Sequence, residues 1–141
     1  MEKLHMIHAV IGAAGAAIAA ALGGWDSGLQ CLVAAMAIDY MTGLIVAGIF
    51  RCSPKSPTGK LESSAGWKGL GRKACTLLVV LLAVQLDGTL GTTFIRDGTV
   101  IAYLLNEVIS ITENLGLMGV PIPAMIARAI DILKEEDKPH E

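Results

Sequence analysis

One aspartate, Asp39, lies at the middle of a stretch in which no other residue is charged, Gly28 to Phe50. A run of 23 residues of this kind is long enough to cross a bilayer as a helix. A carboxylate at the centre of such a helix costs about 3 kcal/mol even on a lenient insertion scale. It therefore persists only where it meets a partner, a cavity or water. Asp39 predicts either a hydrogen bond between helices or a position that lines or gates a polar path.

Two further residues share the helical face of Asp39. Thr42 and Gly43 follow it by three and four positions, and residues at that spacing lie on one side of a helix. The Leu, Ile, Val and Phe residues of the stretch contribute about 0.4 kcal/mol each to insertion, which together roughly offsets the cost of the aspartate. The segment can insert, provided that Asp39 finds a polar neighbour.

A second polar face is predicted between residues 99 and 120. At 100° per residue, its polar side chains fall within an arc of about 120°, and they are Tyr103, Asn106, Glu107, Ser110, Glu113 and Asn114. A spanning helix with one polar stripe and two acids suits contact with water or with other polar helices. The alternative is a surface helix outside the bilayer.

Small residues recur along the first apolar segment. They form two adjacent rows at four-residue spacing, and these are Gly12, Ala16, Ala20 and Gly24 in one row and Gly15, Ala19 and Gly23 in the other. Such rows let helix backbones approach closely, and packing then supplies the association energy that lipid does not. The rows predict a packing face, either within one subunit or between subunits.

Composition and motifs exclude several classes of protein. Hydrophobic residues make up 53% of the chain and charged residues 17%, whereas a soluble domain usually carries about 25% charged residues. No dinucleotide loop, phosphate loop or nucleophile–base set is present, and the three histidines (His5, His8 and His140) are not spaced as a metal site. The sequence predicts no enzyme, no cofactor, no metal and no nucleic-acid partner.

The polar residues of the apolar segments must be positioned by helices that cross the membrane. We expect an all-α integral membrane protein with a single membrane domain over residues 1–134, and its four spans are 4–25, 28–50, 74–94 and 99–120. Apolar residues at helical spacing after Pro123 predict a short amphipathic helix, and residues 135–141 form a charged tail. The three cysteines are interpreted as free thiols, because an odd number beside apolar runs is not a disulfide framework.

The charge distribution predicts the orientation. Between Arg51 and Lys73 there are six basic residues and one acidic residue. Loops rich in lysine and arginine remain in the cytoplasm, so the segment 51–73 is expected there. With four spans, both termini are then cytoplasmic; if the third or fourth segment is re-entrant instead, the C-terminus lies outside.

Several motifs in this order resemble the phage and toxin-secretion holin family. The resemblance covers roughly residues 33–133, and the motifs that carry it are Asp39-Tyr40-Met41-Thr42-Gly43, Lys60-Leu61-Glu62-Ser63-Ser64, the Gly-rich run to Arg72-Lys73, Asn106-Glu107-x-x-Ser110-Ile111-x-Glu113-Asn114, Gly116, Gly119 and Pro121-Ile122-Pro123. The resemblance implies homo-oligomers in the bacterial inner membrane that open lesions. Through these, an endolysin or a large toxin passes out. The polar residues of the second and fourth spans match the family's positions. Because such residues are costly in lipid, we expect them to form polar faces between subunits.

Two other functions are compatible with the same residues. In a small ion or proton channel subunit, Asp39 or Glu107 would be the titrating site. In a membrane scaffold, the segment 51–73 would recruit a partner, and no permeability change would follow. The size of what crosses the membrane separates these functions.

Overall fold

Long apolar helices dominate the computed structural model, which describes residues 1–138. Four helices are long and apolar enough to cross a membrane: α1 (Glu2–Ala21), α2 (Ser27–Ile45, continued by a π-helical turn over Val46–Phe50), α3 (Ser63–Leu90) and α4 (Ile95–Leu117). A fifth, shorter helix, α5 (Ala124–Glu136), follows. The expected all-α membrane fold is confirmed. Residues 139–141 of the expected charged tail lie outside the described residues, while Glu135 and Glu136 belong to α5.

The core lies between α2, α3 and α4. Its buried side chains include Leu29 and Leu32 of α2, Val80 of α3, and Val100 and Leu104 of α4. Because lipid is as apolar as these side chains, their packing stabilises the fold through van der Waals contact rather than through release of water. This packing sets the distances between the polar faces of the three helices.

Helix α3 begins eleven residues earlier than the expected span at Ala74, so the second half of the expected loop 51–73 is helical. The glycines that indicated a loop instead lie against α2. A Cβ atom on Gly66 would lie 3.4 Å from the Tyr40 hydroxyl, and one on Gly69 would lie 3.8 Å from the Tyr40 ring. The missing side chains let the tyrosine ring lie close to α3, and this contact outweighs the low helix propensity of glycine.

A cluster of polar residues connects the helices at the end of the bundle away from the loop between α2 and α3. Asp87, at the end of α3, accepts hydrogen bonds from the Arg96 N–H at 2.8 Å and the Ile95 N–H at 3.1 Å, and so caps α4 from a neighbouring helix. The buried Arg96 guanidinium donates to the Leu22 carbonyl at 3.0 Å and to Asp26 at 2.5 Å. It thereby connects the start of α4 to the turn between α1 and α2.

This turn also depends on Asp26 and on glycine. The Asp26 carboxylate caps α2 by accepting from the Leu29 N–H at 2.9 Å. Hydrogen bonds from Arg96, and then the one from Leu29, hold the pKa of Asp26 below its ordinary value of 3.8. Gly23 and Gly24 have φ angles of 90° and 103°, a backbone region that glycine adopts without steric cost.

Helix α1 differs from the other long helices because none of its residues is buried. Only the residues that follow it, such as Leu22, enter the core. At the other end of the chain, α5 folds back along α4, with Ile130 buried and Leu133 against the core. The subunit is thus a three-helix core with α5 attached and α1 held at its carboxyl end.

Candidate functional site: a buried ionic cluster between three helices

The carboxylates of the two polar faces meet at one lysine. Lys73 Nζ of α3 lies 2.8 Å from Asp39 Oδ2 of α2 and 2.5 Å from Glu107 Oε2 of α4. The side chains of Asp39, Lys73 and Glu107 are 8%, 13% and 13% exposed. Charge-assisted hydrogen bonds of this kind are stronger than neutral ones, so Lys73 holds three helices together. We call Asp39, Lys73 and Glu107 the ionic cluster.

An amide completes the hydrogen bonding of Asp39. Asn114 Nδ2 of α4 is buried and donates to Asp39 Oδ1 at 3.2 Å and to Thr42 Oγ1 at 3.0 Å. The Thr42 hydroxyl itself donates to the Ile38 carbonyl at 2.9 Å. Gly43 lies beside this amide, since a Cβ atom there would be 3.8 Å from Asn114 Nδ2. Asp39 is therefore satisfied by helices on both sides, which fits the interhelical interpretation of the residue in this conformation.

The loop between α2 and α3 adds a second cation. Lys55 Nζ lies 3.7 Å from Asp39 Oδ1 and donates to Ser110 Oγ at 3.2 Å. Its side chain is 45% exposed, so its attraction to Asp39 is screened by solvent far more than that of Lys73. Asp39 and Glu107 thus share the largely buried Lys73 ammonium group, and Asp39 alone also lies near the exposed Lys55 ammonium group.

A cavity of about 240 Å³ opens beside the cluster. Its wall is formed by α2, α3, α4 and the loop, and it includes Asp39, Lys55, Lys73, Asn106, Glu107 and Ser110. No buried side-chain nitrogen or oxygen lacks a hydrogen-bond partner within residues 1–138. In this conformation the site balances charge between helices, and the cavity brings polar surface next to the cluster.

Not all of the predicted polar residues meet in this site. Glu107, Ser110 and Asn114 of the α4 stripe contact α2, α3 or the loop, and Asn106 lines the cavity. Glu113 is exposed and lies outside it. The stripe therefore divides into a face that meets the other helices and a flank that does not.

Most helical positions of the small-residue rows are not packed against the rest of residues 1–138. A Cβ atom on Gly12 or Gly15 would have no heavy atom within 4 Å. Ala16 and Ala20 are exposed and Ala19 is half-buried. Gly23 and Gly24 lie beyond the end of α1, where a Cβ on Gly23 would come within 3.1 Å of Arg96 Nε. The rows thus contain exposed helix positions and two turn positions.

Sequence reasoning missed the basic members of the site. The sequence places Lys73 and Lys55 in a basic loop and does not predict that either contacts Asp39. Asp39 itself indicates that such a partner exists, because an aspartate in a spanning helix requires a cation or a hydrogen-bond donor. Because the glycines before Lys73 indicate a loop, its position on a helix was not predicted.

Comparisons with known proteins agree with this architecture. The model of the bacteriophage holin family matches residues 16–135. The chain is 35% identical over 128 residues to an uncharacterized protein of Halalkalibacterium halodurans, which covers 86% of the chain and 89% of that protein. It is 37% identical over 116 residues to a 14.9 kDa protein of the nagH 3' region of Clostridium perfringens, covering 81% and 82% of the two chains.

A phage protein also matches. The chain is 35% identical over 101 residues to a probable holin of Bacillus phage phi105, which covers 71% of the chain and 69% of that protein. No solved structure matches this chain. Since the family model covers most of the chain and both polar faces, this protein belongs to the bacteriophage holin family.

Proposed function

We propose that the protein assembles into homo-oligomers in the bacterial inner membrane and opens lesions that release an endolysin or an exported toxin. Membership of the holin family and the four apolar helices support this proposal. The observation that carries it is the ionic cluster, which places three charged side chains on three different candidate spans. A membrane helix keeps such groups only if they pair or meet water.

The cluster gives the subunit two ways to satisfy its charges. In the conformation described here, Lys73 pairs both carboxylates inside the subunit. If α2 and α4 move apart, the same groups need water or the polar faces of other subunits. A wall of such helices around an aqueous opening supplies both. Opening then exchanges interhelical pairs for hydration, and the balance depends on how many subunits have gathered.

Helix α1 is suited to bring subunits together. Most of the helical positions in its small-residue rows are exposed, and none of its residues is buried against the rest of residues 1–138. Close helix contacts through small residues supply association energy in lipid. We assign contact between subunits to the helical part of these rows, Gly12 to Ala20.

The orientation follows from the loop charges. With the basic segment 51–73 in the cytoplasm, four spans place both termini in the cytoplasm as well. The ionic cluster then lies nearer the cytoplasmic side than the Asp87–Arg96 cluster does, because α3 runs from Ser63 at the loop towards Leu90.

Inducible expression in bacteria tests the proposal. The protein is expressed with a cytoplasmic endolysin that has no export signal, and culture density is followed. Abrupt lysis that requires both proteins is expected. The control is a catalytically inactive endolysin, with which the density should stop rising without abrupt lysis.

Other outcomes contradict the proposal. Loss of membrane potential without release of the endolysin would indicate a narrow ion or proton channel. No change in permeability at normal accumulation would indicate a scaffold.

A further inference from the structure

The cavity beside the ionic cluster carries positive charge that the cluster does not use. Lys60 and Arg72 both line it, in addition to the lysines that contact Asp39. Within residues 1–138, neither the Lys60 ammonium nor the Arg72 guanidinium takes part in a salt bridge. Glu62, the remaining acid of the wall, accepts a hydrogen bond from the Thr58 hydroxyl at 2.6 Å. The wall thus offers two cations without an anionic partner.

An apolar groove continues from this cavity. It has a volume of about 350 Å³ and lies between α2 and α3, with Val33, Met36, Ala37, Leu70, Ala74 and Leu77 in its wall. Tyr40 and Lys73 line both the groove and the cavity, so the two spaces adjoin at these side chains. A cavity with charged side chains in its wall therefore adjoins an apolar groove.

The direction of the groove matches the direction of a lipid in a bilayer. The cavity is next to the loop, whereas the groove reaches along α2 to Val33 and along α3 to Leu77, away from the loop. A lipid in the leaflet on the loop side has its phosphate at the loop and its acyl chain towards the bilayer centre. Charge and polarity thus change along this surface in the same order as along a phospholipid.

We propose that this surface binds one anionic phospholipid, with its phosphate at Lys60 and Arg72 and one acyl chain in the α2–α3 groove. An anionic headgroup fits better than a zwitterionic one, because no choline or ethanolamine charge then faces the lysines of the wall. The lipid would contact Lys73 and Tyr40 and so lie against the helices that the ionic cluster joins. The site needs only a membrane around the subunit and does not depend on lesion formation.

Retention of lipid by the purified full-length protein tests the headgroup part. The protein is extracted in mild detergent, mixed with equal amounts of phosphatidylglycerol and phosphatidylcholine of identical acyl chains, and examined by native mass spectrometry. A preference for phosphatidylglycerol is expected. The variants Arg72→Gln and Lys60→Gln should each lower it about fivefold, the order expected for one basic residue at an anionic surface. Lys68→Gln removes a charge from the same helix outside the cavity wall and should leave the preference unchanged.

The groove is tested with a side chain that fills it. Ala37→Phe should lower retention of phosphatidylglycerol, whereas Ala34→Phe, on the exposed surface of α2 outside the groove wall, should not. Equal retention of the two lipids would overturn the proposal. It would also be overturned if Lys68→Gln lowered the preference as much as Arg72→Gln, since that result indicates diffuse surface charge. If Ala37→Phe lowered retention of phosphatidylglycerol no more than Ala34→Phe, the acyl contact in the groove would be excluded.

Discussion

Lys73 determines how the acidic residues of the two polar faces behave. It is the largely buried cation between Asp39 and Glu107, and the other lysine near Asp39 is half exposed. Breaking a buried ion pair by removing one partner costs about 3–5 kcal/mol, because the other charge is left unpaired. Removing one of the two acids has a different effect, since it leaves Lys73 in a balanced pair with the other acid.

This asymmetry predicts opposite effects on lysis. Lys73→Met leaves two carboxylates without their buried partner, weakens the closed subunit by about 3 kcal/mol and should bring lysis forward. Asp39→Asn keeps a partner for Asn114, leaves a balanced Lys73–Glu107 pair and should delay lysis. The time of lysis is measured with co-expressed endolysin at matched protein accumulation, with Lys68→Met as the control. If both variants shift lysis in the same direction, the ionic cluster does not set the closed state.

At the scale of helices, the contrast between α1 and the other spans is the main feature. The three core helices bury side chains against one another, while α1 buries none. Its exposed small-residue rows therefore predict contacts with other subunits. Replacing Gly15 with Ile should prevent close approach and lower the crosslinked dimer fraction in membranes severalfold.

The matched control is Ala13→Ile, which adds comparable bulk on the same helix outside both rows. Crosslinking in intact membranes, with accumulation checked for each variant, measures the effect. Equal loss of crosslinking in the two variants would mean that the bulk of α1, rather than its rows, controls association.

The turn that attaches α1 is expected to depend on pH. Folding lowers the pKa of Asp26 below 3.8, so its stabilising effect is complete above that value and is lost as the pH falls through the lowered pKa. Protonation weakens the contact with Arg96, and the neighbouring Trp25 should report it. Fluorescence of a Trp67→Phe protein in detergent, followed from about pH 6 to about pH 2, should change at the acid end, and this change should be absent after Asp26→Asn.

The sequence predicted the helical spans better than their contacts. The apolar runs, and the prolines that follow the fourth, predict the bounds of α1, α2 and α4 to within a few residues. These bounds are predictable because the hydropathy of a segment depends only on residues that are neighbours in the sequence. The start of α3 was not predicted, since Gly66 and Gly69 disfavour a helix until Tyr40 packs on them. The requirement of Asp39 for a partner was predictable, but the identity of Lys73 depends on how three helices pack. The residues next to Arg96 in the sequence do not predict that its side chain is buried.

At the scale of the whole molecule, charge separates the two ends of the bundle. One end carries the basic loop, the cavity and the cluster at Lys73. The other end carries Asp87, which accepts a hydrogen bond from the Arg96 backbone N–H, and Arg96, whose guanidinium pairs with Asp26. Because loops rich in lysine and arginine are retained on the cytoplasmic side, this difference predicts that the end with the basic loop faces the cytoplasm.

The native cysteines make that direction measurable. Cys52 lies exposed in the basic loop, while Cys31 and Cys75 lie on the exposed surfaces of spanning helices. In a Cys31→Ser/Cys75→Ser protein, a membrane-impermeant maleimide should label Cys52 only after the inner membrane is opened, since the loop is expected in the cytoplasm. A cysteine placed in the α3–α4 connection by Thr93→Cys, with all native cysteines replaced, should instead be labelled in intact spheroplasts. Labelling of both positions from one side would contradict the four-span topology, and exchange of the two patterns would reverse the orientation and place both termini outside.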